Sequence, residues 1–162
     1  MKILVTGFAP FGGEKLNPSW EAVKRLPDRI GGAELIKREL PTEFVASGTV
    51  LHGLLERLRP DAVLCVGQYG GANGIRVERV AVNLRDARIA DNAGRQPTDE
   101  PVVTGGPDAY FATIPTRRIV DALRERDIPA RLSYSAGTFV CNDLLYCALH
   151  ESAQSYPAPR CG

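Results

Sequence analysis

Two kinds of apolar run alternate along the chain. Residues 3–5 and 62–66 are short and continuous and break at a glycine, as strands buried on both faces do. Residues 33–40 and 130–134 read as two further strands, and 75–84, with Ile75, Val77, Val80 and Val82 among charged neighbours, as strand or extended chain. The longer runs carry helical spacing. Val50, Leu51, Leu54, Leu55 and Leu58 predict a helix over 44–58. Ile114, Ile119, Val120 and Leu123 predict an amphipathic helix over 113–126, with Arg117, Arg118, Arg124 and Arg126 on a solvated outer face. A shorter helix opens with Asn17 as N-cap and Pro18 as first residue, buries Trp20, Val23 and Leu26, and closes at Pro27. The run 144–149 is apolar nearly all round, which predicts a deeply buried helix. Residues 85–96 and 98–106 read as loop. This alternation predicts one α/β domain, an α/β/α sandwich on a mixed but mostly parallel sheet.

Charge changes the picture by exclusion. The chain has 162 residues, with 20 Lys and Arg against 19 Asp and Glu. A net charge of +1 gives no electrostatic case for a nucleic-acid or membrane partner. The first apolar run is too short for a signal peptide. The four cysteines, Cys65, Cys141, Cys147 and Cys161, form no C-x-x-C pair, which argues against structural zinc and fits a reducing cytoplasm. The glycines of the loop 6–13 lack the spacing of a nucleotide-binding loop.

Candidate chemistry gathers on the stretch 135–143. A strand feeds it and a helix leaves it, so Cys141 falls near a helix N-terminus. With Thr138 as N-cap, Cys141 is the third helical residue, where free N–H groups and the helix dipole favour a thiolate nucleophile. A small buried core residue is the competing reading. Glu78 is the candidate acid, just past the glycine-rich loop 67–74, with an ion pair to Arg76, Arg79 or Arg88 as its competing role. The base is the difficulty. His150 lies nine residues along the same helix, about 13 Å from Cys141, and His52 sits on the helix before the third strand.

Several stretches in order resemble the pyroglutamyl peptidase I family, the pyrrolidone-carboxylate peptidases. They are Thr6-Gly7-Phe8 with Pro10-Phe11-Gly12-Gly13, Asn17-Pro18-Ser19-Trp20, Val66-Gly67-Gln68, the run from Glu78 to Asn83, Ala87-Arg88-Ile89 with Asp91-Asn92, and Ser135 to Asn142. The resemblance covers the chain from residue 2. It implies a cysteine exopeptidase that removes N-terminal pyroglutamate through a thioester, with no cofactor or metal, in a cytoplasmic homotetramer. Cys141 falls on the family's nucleophile and Glu78 on its acid. Phe8, Phe11, Thr42, Ile89, Phe139 and Val140 fall around the lactam ring, with Asn17 and Gln68 as polar contacts and Arg88 as a second oxyanion donor beside the Cys141 N–H. The family's histidine comes in a segment expected beyond Gly162, so residues 1–162 read as a single peptidase domain truncated at its C-terminus. The alternatives are an impaired form that only binds pyroglutamyl ligands and a hydrolase of the same architecture acting on another amide. A nucleoside-phosphorylase-like role lacks phosphate-site residues.

Overall fold

The apolar run predicted as the first strand is β1, Lys2–Phe8, and it takes the centre of the main sheet. The structure is a computed structural model and describes residues 1–155 and 158–162. β1 pairs in parallel with β3 (Ala33–Leu40) on one side and with β4 (Ala62–Cys65) on the other. A two-residue β2 (Arg29–Ile30) edges β3 antiparallel, and β9 (Arg160–Cys161) lies parallel to β4. The sheet is therefore mixed and mostly parallel, as the alternation of runs predicts.

Each face of this sheet is covered by helix. α2 (Ala46–Leu58) and α4 (Val140–Gln154) pack on one side, burying Leu4, Leu40, Phe44, Leu51, Val63, Leu144 and Leu149 in the main core. Full burial of such a side chain stabilises the fold by about 1.5–3 kcal/mol. α1 (Pro18–Val23) covers Val5 and Leu35 on the other side. α4 matches its apolar sequence, with nine of its residues buried.

The stretch 75–84 does not run as one strand. β5 (Ile75–Glu78) pairs in parallel with β8 (Ala130–Ser133), whereas β6 (Val80–Val82) pairs antiparallel with β7 (Ala109–Phe111). Arg79 is the switch point: its N–H donates to Ser133 O, while its carbonyl accepts from Ala112 N–H. β7 lies where no strand is predicted. α3 (Thr116–Arg124) packs on β8 and starts later than its apolar pattern, because Pro115 precedes it. α2 starts at Ala46 because Val45 takes φ +66°, a conformation that strains a β-branched residue.

β9 is held from both sides. Cys161 N–H donates to Thr113 Oγ1 at 2.8 Å, Gly162 N–H to Val63 O at 3.2 Å, and Cys65 N–H to Gly162 O at 2.7 Å. No described helix is long and apolar enough to cross a membrane.

Candidate active site

Cys141 stands where β4 runs out and α4 begins. The N-cap of α4 is Phe139, not Thr138, so Cys141 is the second helical residue. Thr138 fails as a cap because its hydroxyl donates instead to Asp86 O at 2.7 Å. Asp86 N–H returns a bond to Thr138 O at 3.1 Å, which clamps the 86–88 loop onto the approach to the helix. Cys141 still presents a first-turn N–H with no intrahelical partner.

Gly67 makes room for the sulphur. A Cβ built on Gly67 would lie 2.7 Å from Cys141 Sγ, so any side chain there would displace the thiol or the loop. The next N–H, that of Gln68, donates toward Cys141 and favours its thiolate. Burial nonetheless dominates. It pushes the Cys141 thiol up to about 11, and the nearby Glu78 carboxylate pushes the same way. The preference for thiolate expected at the helix tip is thus opposed by desolvation, which outweighs the Gln68 N–H. A thiolate here needs a cationic partner. Cys65 and Cys147 are raised further, to about 12 each, also by burial.

Glu78 sits at the end of β5, opposite Ser133 of β8. Burial raises its carboxyl above the usual range, with Ser133 and Arg76 acting the other way. Its Oε2 is buried and has no hydrogen-bond partner among the described residues. A buried carboxylate oxygen left unpaired is costly, and it suits a group meant to receive a donor such as an imidazole N–H.

Neither histidine fills that gap. His150 is bonded by Nδ1 to Tyr110 Oη at 3.0 Å and by Nε2 to Gln154 at 2.6 Å, well along α4. His52 lies on α2, half exposed, against Glu151 and Glu56.

The aromatic residues picked out by sequence converge beside Cys141. Phe139 packs on Phe11 with ring centroids 6.1 Å apart and edge-on against Phe44 at 5.2 Å. Phe8 is buried and borders Gly67. Thr42 and Asn17 are buried with their polar atoms committed: both donate to Ala9 O, and Asn17 Oδ1 accepts from Ser19 N–H and Oγ. They shape the 9–11 loop, and Val140, fully buried, belongs to the core. Gln68 is half-buried, while Arg88 and Ile89 stand exposed at the rim. Asn92 ties that rim to the 9–11 loop by donating to Pro10 O at 2.8 Å.

Several positioning residues escaped sequence reasoning. Asn142 Nδ2 donates to Val82 O and Leu84 O, and its Oδ1 accepts from Val82 N–H, fixing β6 to the start of α4. Asp143, fully buried, pairs with Arg85 Nε and accepts from Val45 N–H. Asp91 accepts from Phe44, Ala93 and Arg95 N–H groups. The one available signal was the Asn-Asp pair at the head of an otherwise apolar helix, since buried polar groups need partners. Arg85→Ala is expected to destabilise the fold by about 3–5 kcal/mol, because it strands a buried carboxylate. The penalty should shrink as pH falls and Asp143 protonates, and urea unfolding at two pH values measures both effects. A loss under 1 kcal/mol at neutral pH would remove the pair from the list of supports for Cys141.

Comparison with known proteins bears on this arrangement. The family model described as pyroglutamyl peptidase matches residues 1–162. A pyrrolidone-carboxylate peptidase of Thermococcus onnurineus is 56% identical over 153 residues, covering 94% of this chain and 76% of the relative. That of Enterococcus faecalis is 52% identical over 162 residues, covering 100% and 76%. Among solved structures, pyroglutamyl peptidase I of Bacillus amyloliquefaciens superposes with a TM-score of 0.96 at 49% identity, covering 99% of this chain and 79% of its own. A mutant pyrrolidone carboxyl peptidase of Pyrococcus furiosus gives 0.97 at 46%, covering 100% and 78%.

Proposed function

This chain belongs to the pyroglutamyl peptidase family, and from that membership we propose that it is built to release N-terminal pyroglutamate from peptides through a thioester on Cys141. The observation that carries the reading is the meeting of Cys141 Sγ, the Gln68 N–H and the Glu78 carboxylate beside the packed rings of Phe11 and Phe139.

Pyroglutamate is a small, uncharged lactam with no free amine. A site that takes it should be apolar with a few hydrogen-bond partners. Phe11 and Phe139 supply the flat apolar walls, Phe8, Thr42, Asn17 and Val140 support them from beneath, and Ile89 closes the rim. Gln68 is assigned to the lactam's polar edge. The thiolate of Cys141 attacks the pyroglutamyl carbonyl, and the Cys141 N–H at the head of α4 receives the developing oxyanion, with Arg88 as second donor. The peptide amine leaves with a proton, and water then hydrolyses the thioester. Glu78 accepts an N–H of the imidazole that moves these protons and stabilises it when charged. The same imidazolium offsets the desolvation that holds Cys141 as a thiol.

The test is a panel of fluorogenic amides. Pyroglutamyl amide should be the preferred substrate by about tenfold or more over prolyl and acetyl-alanyl amides, given 1–3 kcal/mol from ring contacts. Its turnover should be lost in Cys141→Ala. Equal rates on the acetyl amide would favour a hydrolase of different specificity. Assembly into a homotetramer in the cytoplasm is proposed from the family alone, and sedimentation analysis reads the assembly.

A further inference from the structure

A cavity lies at the opening end of β5 and β8, and Cys141 is not among the residues that line it. It has a volume of about 370 Å³, and its walls include Gly71, Gly74, Arg76, Arg124, Pro129 and Arg131. No carboxylate lines it among the described residues. Three guanidinium groups thus share one hollow in a chain whose net charge is only +1.

The three are arranged rather than scattered. Arg76 and Arg131 stand side by side in the parallel β5–β8 register, so their side chains leave the same face of neighbouring strands. Like charges so placed repel unless something lies between them. Arg124 comes from α3, which the sequence pattern assigned to a solvated face; its Nε donates to Ala130 O at 2.8 Å, which turns the rest of the guanidinium toward the hollow. Arg76 is fixed too: its guanidinium lies 3.9 Å over the Tyr69 ring, and its Nε is buried with no hydrogen-bond partner among the described residues. None of the three has a carboxylate within 4.0 Å among the described residues. Glu78, on the same strand as Arg76, feels its charge but makes no ion pair with it.

The remaining wall is the 71–74 loop together with Ile75, Pro129 and Ala130. Gly71 takes φ +80°, and a Cβ on Gly74 would lie 2.5 Å from Pro129 O, so the 71–74 loop presses on the start of β8. Three unpaired arginines around one hollow present forked donors to a common point, which is the chemistry of oxyanion recognition.

We propose that this cavity binds a small multivalent oxyanion, with Arg76, Arg124 and Arg131 as its ligands, at a site separate from Cys141. The proposal does not rest on the peptidase reading. Titrating inorganic pyrophosphate into the protein by calorimetry, with sodium chloride matching the ionic strength, is expected to show one saturable site. Arg131→Gln, whose side chain makes no hydrogen bond among the described residues, should weaken that binding about tenfold or more. Arg117→Gln, on the same helix as Arg124 but outside the cavity, should leave it unchanged. Citrate in place of pyrophosphate separates the sources of the oxyanion: equal affinity points to a carboxylate-type ligand, weaker affinity to a phosphate-type one, and both support the site. No heat beyond the chloride control, or equal binding to Arg131→Gln and the parent protein, overturns it.

Discussion

Hydrolysis of a pyroglutamyl amide by the polypeptide of residues 1–162 is expected to rise about tenfold or more when free imidazole is supplied, and that gain is expected to vanish in Cys141→Ala. A positioned general base contributes about 10²–10⁴-fold, and a diffusing one recovers part of this because it lacks the fixed geometry. A thiol held at about 11 is almost wholly protonated at neutral pH, so the helix tip and the Gln68 N–H alone leave little nucleophile. Both histidines are engaged elsewhere, His150 with Tyr110 and His52 with Glu151. Added imidazole can bring both functions, proton acceptor and cation, to Cys141 and Glu78. Fast turnover without imidazole would overturn the account of the base. Stimulation that survives Cys141→Ala would show imidazole attacking the substrate directly.

The parts of the molecule legible in sequence are those where one local cause acts. Asn17 caps α1 as its side chain and the following proline require, with Oδ1 accepting from Ser19 N–H at 3.0 Å. β1, β3, β4, β8 and α4 follow from continuous or periodic apolar runs. Illegible were features decided by a distant partner. Arg79 breaks one apolar stretch into two strands because Ser133 and Ala112, far along the chain, claim its N–H and carbonyl. Thr138 looks like a cap until Asp86 competes for its hydroxyl. The same holds at the site. Cys141 was identifiable from its place at a strand-to-helix turn, and its N-terminal position in α4 stands. Its thiol character was not, because both its burial and the nearby Glu78 charge are set by the fold. Thr42 Oγ1 and Asn17 Nδ2 both donate to Ala9 O, a pairing that only the fold could decide.

Glu78→Gln is expected to push alkylation and hydrolysis in opposite directions. In the imidazole-supplemented reaction Glu78 orients the ring and its negative charge stabilises the imidazolium, so the amide should slow turnover about 10²-fold or more. The same substitution removes a negative charge that disfavours the Cys141 thiolate. Without imidazole, iodoacetamide should therefore label Cys141 faster in Glu78→Gln, about threefold or more at pH 8, and the midpoint of its pH profile should fall below about 11. Cys65 and Cys147, held near 12 chiefly by burial, should lag behind Cys141 in both proteins. A purely structural role for Glu78 cannot produce this split: a loosened pocket would expose every thiol together and give Cys65 and Cys147 a matching rise. Slower labelling of Cys141 in Glu78→Gln would mean that the carboxylate does not act on the thiol through its charge. The pairing of residue 78 with residue 141 would then fail, whatever the effect on turnover.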